Sequence, residues 1–213
     1  MKSKKVSIAV ALIASLVAGV LIWRQFSDPA ANMRPSAAVG EVLAEEAARV
    51  LGGHGKLVLI ARQPLKNGAD ASREKIAALQ AALKRQGKMT LAAPEWLPRP
   101  PMGAMDLGVV TPDQFLAALE KNPDANAFVI VAGMPPYSRT LVDKIAARSQ
   151  KLIAVCGYTG DVRRWLQSKV LAAVIVPRFA DLPPGTRAPK TAREWFQQEF
   201  ELLTPETLAR APY

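Results

Sequence analysis

Seven residues carry the groups best placed for recognition chemistry: Arg62, Tyr137, Ser138, Tyr158, Thr159, Asp161 and Arg178. Each stands within six residues of the end of a short aliphatic run. The hydroxyls can donate and accept hydrogen bonds, and the guanidinium forks match carboxylate or phosphate. Helices that start near 138 and 161 would turn their positive ends toward an anion. That chemistry is the binding of a small polar or anionic ligand. The same residues also suit plain structural roles. Ser138 and Asp161 stand where helix N-caps are expected, the neighbouring glycines suit turns, and the tyrosines can pack on a rim.

Catalytic chemistry finds less support. The chain has one cysteine, Cys156, and one histidine, His54. That count excludes an internal disulfide and the common zinc sites, and no metal or cofactor is expected. His54 lies in Gly-Gly-His-Gly and reads as a turn residue. Cys156 ends an apolar run and reads as a small buried hydrophobe, with a reactive thiolate near Arg178 as the rival. A phosphate loop needs closely spaced glycines or Gly-Lys-Ser/Thr after the first strand, and Arg62-Gln-Pro-Leu-Lys-Asn-Gly68 has neither. The acids and lysine of a phospho-accepting receiver are missing from Ala61-Arg62, Ala132-Gly133 and Pro177-Arg178. No Gly-x-Ser-x-Gly elbow is present. No activated nucleophile or acid–base pair is evident.

These residues need a scaffold, and the rhythm of the chain supplies one. Residues 56–61, 88–93, 127–132, 152–156 and 171–176 read as five strands, rich in aliphatics and bounded by turn residues. Between them lie helical stretches. One runs from a Ser36 cap to about Leu51, stopped by Gly52-Gly53, and another from Asp70 to Gln86. A capping-box helix starts at Thr111-Pro112, and shorter ones span 138–149 and 161–168. A second capping box, Thr191-Ala-Arg-Glu194, opens a last helix carrying Trp195, Phe196, Phe200 and Leu203. No proline falls inside a proposed element except at a first turn. The pattern predicts an α/β three-layer sandwich with a mostly parallel five-stranded sheet. A flavodoxin-like strand order, 2-1-3-4-5, would put the ligand crevice between the first and third strands.

Through residues 56–61, 127–138 and 151–178 the succession resembles one lobe of a type I periplasmic-binding protein. The resemblance implies an extracytoplasmic lobe that takes a small ligand. Such proteins clamp ligand between two lobes, and this chain has length for one.

The amino end is a separate unit. Lys2, Lys4 and Lys5 precede an uncharged stretch, Val6 to Trp23, closed by Arg24. As a helix its 18 residues would span about 27 Å, close to a bilayer's hydrocarbon core of roughly 30 Å. A transmembrane signal anchor is expected, with a cleaved secretory signal as its rival and the lipid bilayer as partner through residues 6–23. The lysines put the N-terminus in the cytoplasm and the domain outside. The expected organisation is an anchor at 1–26, a linker at 27–36, an extracytoplasmic domain at 37–203 and a tail at 204–213.

With 213 residues, 50% of them hydrophobic and 22% charged, the chain can bury a real core and is not a disordered protein. Its net charge is +10, but residues 1–26 hold four of the basic residues and no acid, which leaves +6 on the rest. That remainder is dispersed and carries no nucleic-acid motif, so no nucleic-acid partner is expected. The proline-rich stretch 93–110, with Trp96, Met102 and Met105, either covers the sheet or presents a partner surface. Two functions lead, with an enzyme as a less favoured third. One is a non-enzymatic envelope component that binds a protein or polymer. The other is a lobe that senses a small polar or anionic ligand, working as a homodimer or with another subunit.

Overall fold

A computed structural model describes residues 29–64, 70–99, 110–157, 161–178 and 189–208, with side chains from Arg34 onward. The chain divides into two compact units, Met1–Arg34 and Pro35–Tyr213. The proposed anchor at 6–23 lies outside the described residues. Among the described residues no helix is long and apolar enough to cross a membrane.

Seven strands form one sheet: β1 (Gly55–Arg62), β2 (Met89–Leu91), β3 (Glu95–Leu97), β4 (Ala127–Ile130), β5 (Lys151–Val155), β6 (Leu171–Pro177) and β7 (Phe200–Leu203). Among the described residues, α1 (Pro29–Leu51) precedes the sheet and five helices lie between its strands: α2 (Ala71–Gln86), α3 (Pro112–Glu120), α4 (Arg139–Ala146), α5 (Val162–Gln167) and α6 (Ala192–Glu199). The sheet order is β2-β1-β4-β5-β6-β7, with β3 beside β2 on the same edge of β1. Every pairing is parallel except β6 with β7. Chain order therefore reverses between β1 and β4, as the flavodoxin-like order requires.

The central strands are apolar throughout because both faces are covered. Val58 and Ile60 join Phe128, Ile130, Leu152 and Val174 under α3, α4 and α5. Leu57, Leu59 and Ala61 join Val129, Ile153 and Ile175 under α1, α2 and α6. This is the period-two alternation of a pleated strand, with a hydrophobic layer on each side. The capping residues work as their sequence predicts at four helices, Ser138 serving the fourth of these, α4. Asp70 accepts from Ser72 N–H at 2.9 Å, and Thr111 and Thr191 each close a capping box.

Several boundaries differ from expectation. The sheet has seven strands rather than five. β3 forms inside the stretch taken as a loop, pairing Ile60 to Arg62 with Glu95 to Leu97. The last helix ends at Glu199, and Phe200 to Leu203 turn extended instead of helical. β7 supplies the hydrogen bonds that the outer edge of β6 would otherwise lack, and Phe200 still stacks on Phe196 at 6.0 Å. Residues 29–36, taken mostly as linker, belong to α1, so Ser36 caps nothing and Pro35 lies inside a helix. Pro177 ends β6, one residue beyond the expected strand. The supposed tail at 204–213 begins with a turn whose Leu208 is buried in the core.

Gly40 sets how closely α1 and α2 approach. A Cβ there would lie 2.2 Å from the Lys75 carbonyl oxygen and 2.9 Å from the Leu79 nitrogen. Both are backbone atoms and cannot swing aside. Gly40→Ala is expected to lower stability by about 1–3 kcal/mol in urea unfolding. Gly157→Ala, where an added Cβ meets nothing within 4 Å, should change it by less than about 0.5 kcal/mol.

Candidate functional site

The carboxyl ends of β1, β4, β5 and β6 share one edge of the sheet, and the predicted residues divide along it. Arg62 ends β1 and donates through Nη1 to the Pro98 carbonyl at 3.2 Å. Pro98 follows β3, which pairs with the edge of β1 opposite β4. Arg62 is thus engaged on the outer side of the reversal point.

Tyr137, Ser138 and Asp161 lie above β4 and β5. Ser138 Oγ accepts from the Leu141 N–H at 3.2 Å, so it is the N-cap of α4. Asp161 holds the N-cap position of α5 but makes no capping bond. Its Oδ2 accepts from the backbone N–H of Tyr137 at 3.0 Å, and its Oδ1 lies 3.8 Å from Arg164 Nη1. The carboxylate therefore ties the loop after β4 to the loop after β5. The Tyr137 ring meets Trp165 edge-on at 5.5 Å, and the Arg164 guanidinium lies 5.8 Å above its centroid. Its hydroxyl makes no hydrogen bond among the described residues. Upstream, Gly133 turns the chain with φ of 91°, a conformation that other residues rarely adopt.

Arg178 follows β6. Its backbone N–H donates to the Glu199 carbonyl at 2.9 Å, and its exposed guanidinium makes no ion pair among the described residues. Three strand spacings, about 14 Å, separate its strand from that of Arg62. The two arginines therefore do not form one tight anion clamp. Tyr158 and Thr159 lie outside the described residues, as do residues 100–109 of the proline-rich stretch. Trp96, from the described part of that stretch, is 42% exposed.

Cys156 is no reactive thiolate. It is buried, its N–H pairs with the Ile175 carbonyl, and burial pushes its thiol up to about 12. The neutral form is kept because a thiolate would lose its hydration there. His54 is exposed, its Nδ1 3.0 Å from the Gly52 carbonyl oxygen, at the opposite edge of the sheet.

Sequence reasoning missed the second role of Asp161. A bond across 24 residues leaves no local mark beyond an acid at a helix start. It also missed Trp165, whose fully buried ring supports Tyr137 from α5.

The arrangement has the geometry of a binding edge. An open parallel sheet takes ligands outside its strand carboxyl ends, at the point of reversal. The same architecture recurs in solved structures. An arabinose-binding protein, AraP, from Geobacillus stearothermophilus superposes with a TM-score of 0.54 at 12% identity, over 82% of this chain and 62% of that one. A solute-binding protein from Agrobacterium vitis bound to α-D-tagatopyranose gives 0.55 at 15% identity, over 82% and 60%. The fold resembles a single lobe of these solute-binding proteins. The XylFII–LytSN complex matches at 0.52 and 13% identity, over 80% of this chain and 60% of that one. The chain thus spans about three fifths of the length of these binding proteins. Neither a protein-family model nor a curated protein sequence matches it.

Asp161→Ala removes the acceptor of the Tyr137 N–H. The loss is expected to cost about 1 kcal/mol locally. It should appear as roughly fivefold faster exchange of the Tyr137 amide, with the amides of β1 unchanged.

Proposed function

We propose that this chain is an extracytoplasmic ligand-binding domain whose ligand is a small, hydroxyl-rich molecule, a sugar, held at the carboxyl edge of the sheet. The observation that carries the proposal is the parallel order β2-β1-β4-β5-β6 with its reversal between β1 and β4. Above that edge the loops after β4 and β5 are joined by Asp161. The fold shared with an arabinose-binding protein and with a solute-binding protein bound to α-D-tagatopyranose supports the same reading. Of the two functions expected from sequence, ligand binding has this support, whereas the envelope-scaffold role rests on composition alone.

The residues proposed to meet the ligand are Tyr137, through its unengaged hydroxyl, and Arg178, through its exposed guanidinium. Tyr158 and Thr159 would complete the rim from the loop after β5. Arg62, bonded to the Pro98 carbonyl on the outer side of β1, takes no part in it. Ser138 and Asp161 act by shaping the loops. Anchoring through residues 6–23 would hold the domain at the outer membrane face, and a second subunit or homodimer would close the open edge.

The full chain, titrated calorimetrically with a panel of aldopentoses, aldohexoses and ketohexoses, is expected to show saturable binding to at least one. Tyr137→Phe keeps the ring against Trp165 and deletes only the hydroxyl. It should weaken binding about fivefold, the worth of one hydrogen bond, and Arg178→Ala should weaken it by at least as much. Absence of binding to every sugar in the panel contradicts the proposal.

A further inference from the structure

Charge along the carboxyl edge of the sheet discriminates among hydroxyl-rich ligands, an inference that rests on the sugar-binding reading of that edge. Residues 131–138, the loop after β4, carry no charged side chain. After β5, Gly157 has no side chain and burial keeps the Cys156 thiol neutral. Between these two loops the one carboxylate among the described residues is Asp161, and both its oxygens are engaged. Oδ2 accepts from the Tyr137 N–H at 3.0 Å, and Oδ1 lies 3.8 Å from Arg164 Nη1.

The cations of the edge differ in their commitments. Arg164 faces Asp161 and the Tyr137 ring. Arg178 follows β6 directly, and its backbone is fixed by the bond from its N–H to the Glu199 carbonyl at 2.9 Å. Its exposed guanidinium pairs with no carboxylate among the described residues, that of Glu199 included. Strand β6 lies two strand spacings, about 10 Å, from β4, which leads to Tyr137. Two long side chains and one sugar ring can cover that span together.

The described side chains of the edge are therefore rich in donors and poor in acceptors. Arg178 brings a guanidinium that only donates, and Tyr137 adds a hydroxyl that can donate. A neutral sugar brings hydroxyls that donate as well as accept, whereas a carboxylate only accepts. We propose that the ligand of this edge is a sugar acid, with its carboxylate on the Arg178 guanidinium and its hydroxyls toward Tyr137. The guanidinium fork matches a carboxylate through two parallel N–H···O bonds. A phosphate also fits the fork, but a phosphate monoester carries a charge of about −1.5 to −2 at neutral pH. One guanidinium does not balance that charge beside Asp161, and it does balance a single carboxylate. The neutral parent sugar loses this one contact, so it still binds, more weakly.

The test is calorimetric titration of the full chain with D-glucuronate and D-galacturonate, each beside its parent sugar, glucose or galactose. One of the acids should bind at least about tenfold more tightly than its parent, the worth of a charge-assisted hydrogen bond. Arg178→Gln should erase that preference. Lys144→Gln, which removes an exposed cation from the last turn of α4, should leave it unchanged. Raising the ionic strength should weaken the acid and spare the parent, which keeps the test decisive if Arg178→Gln does not fold. Equal binding of acid and parent, or a preference that survives Arg178→Gln or high salt, overturns the sugar acid and leaves sugar binding in place. Tighter binding of glucose 6-phosphate than of glucuronate overturns the carboxylate. No binding of any acid or parent overturns the sugar reading and this inference with it.

Discussion

Asn126 joins three strands at their amino ends. Its N–H donates to the Lys56 carbonyl at 2.8 Å, its Oδ1 accepts from the Lys56 N–H at 2.7 Å, and its own carbonyl accepts from the Lys151 N–H at 3.1 Å. Gly55 leaves room for this, since a Cβ there would lie 2.9 Å from Oδ1. The register that results pairs Leu57 to Ile60 with Ala127 to Ile130 in parallel, and each of those eight residues is fully buried. A slip of one residue would exchange the two faces and turn every one of these side chains into the wrong hydrophobic layer. The β1–β4 pairing is the constraint from which the reversal point and the loop edge above it follow.

Because β1 is the strand at the reversal, its two sides have different neighbours. Toward β4 it abuts the loops that Asp161 and Trp165 hold in place. Toward β3 it ends beside Trp96 and α2. Arg62 stands at the division, and its bond to the Pro98 carbonyl commits it to the outer side. The buried thiol of Cys156 and the caps of α2, α3, α4 and α6 belong to the scaffold.

Much of the scaffold was legible because central strands of a covered parallel sheet must be apolar on both faces. Runs such as Ala127-Phe-Val-Ile130 have no other economical reading between turn signals. The edges were not legible for the same reason. Phe200 and Leu203 continue the helical spacing begun at Trp195 and Phe196, and what makes them a strand is the open edge of β6, a tertiary fact. β3 is three residues between Pro94 and Pro98, too short to show a period. At the candidate site, sequence identified the loops but not their wiring. Asp161 resembles an N-cap, and only the fold brings its carboxylate to the Tyr137 N–H. The separation of Arg62 from Arg178 is set by strand order, which periodicity does not show.

The most direct test of the β1–β4 register is measurement of scalar couplings across backbone hydrogen bonds by nuclear magnetic resonance. The account predicts cross-peaks from the Asn126 amide nitrogen to the Lys56 carbonyl carbon and from the Val131 amide nitrogen to that of Ile60. Couplings that join these amides to other carbonyls, or an antiparallel pattern between residues 57–60 and 127–130, would contradict it.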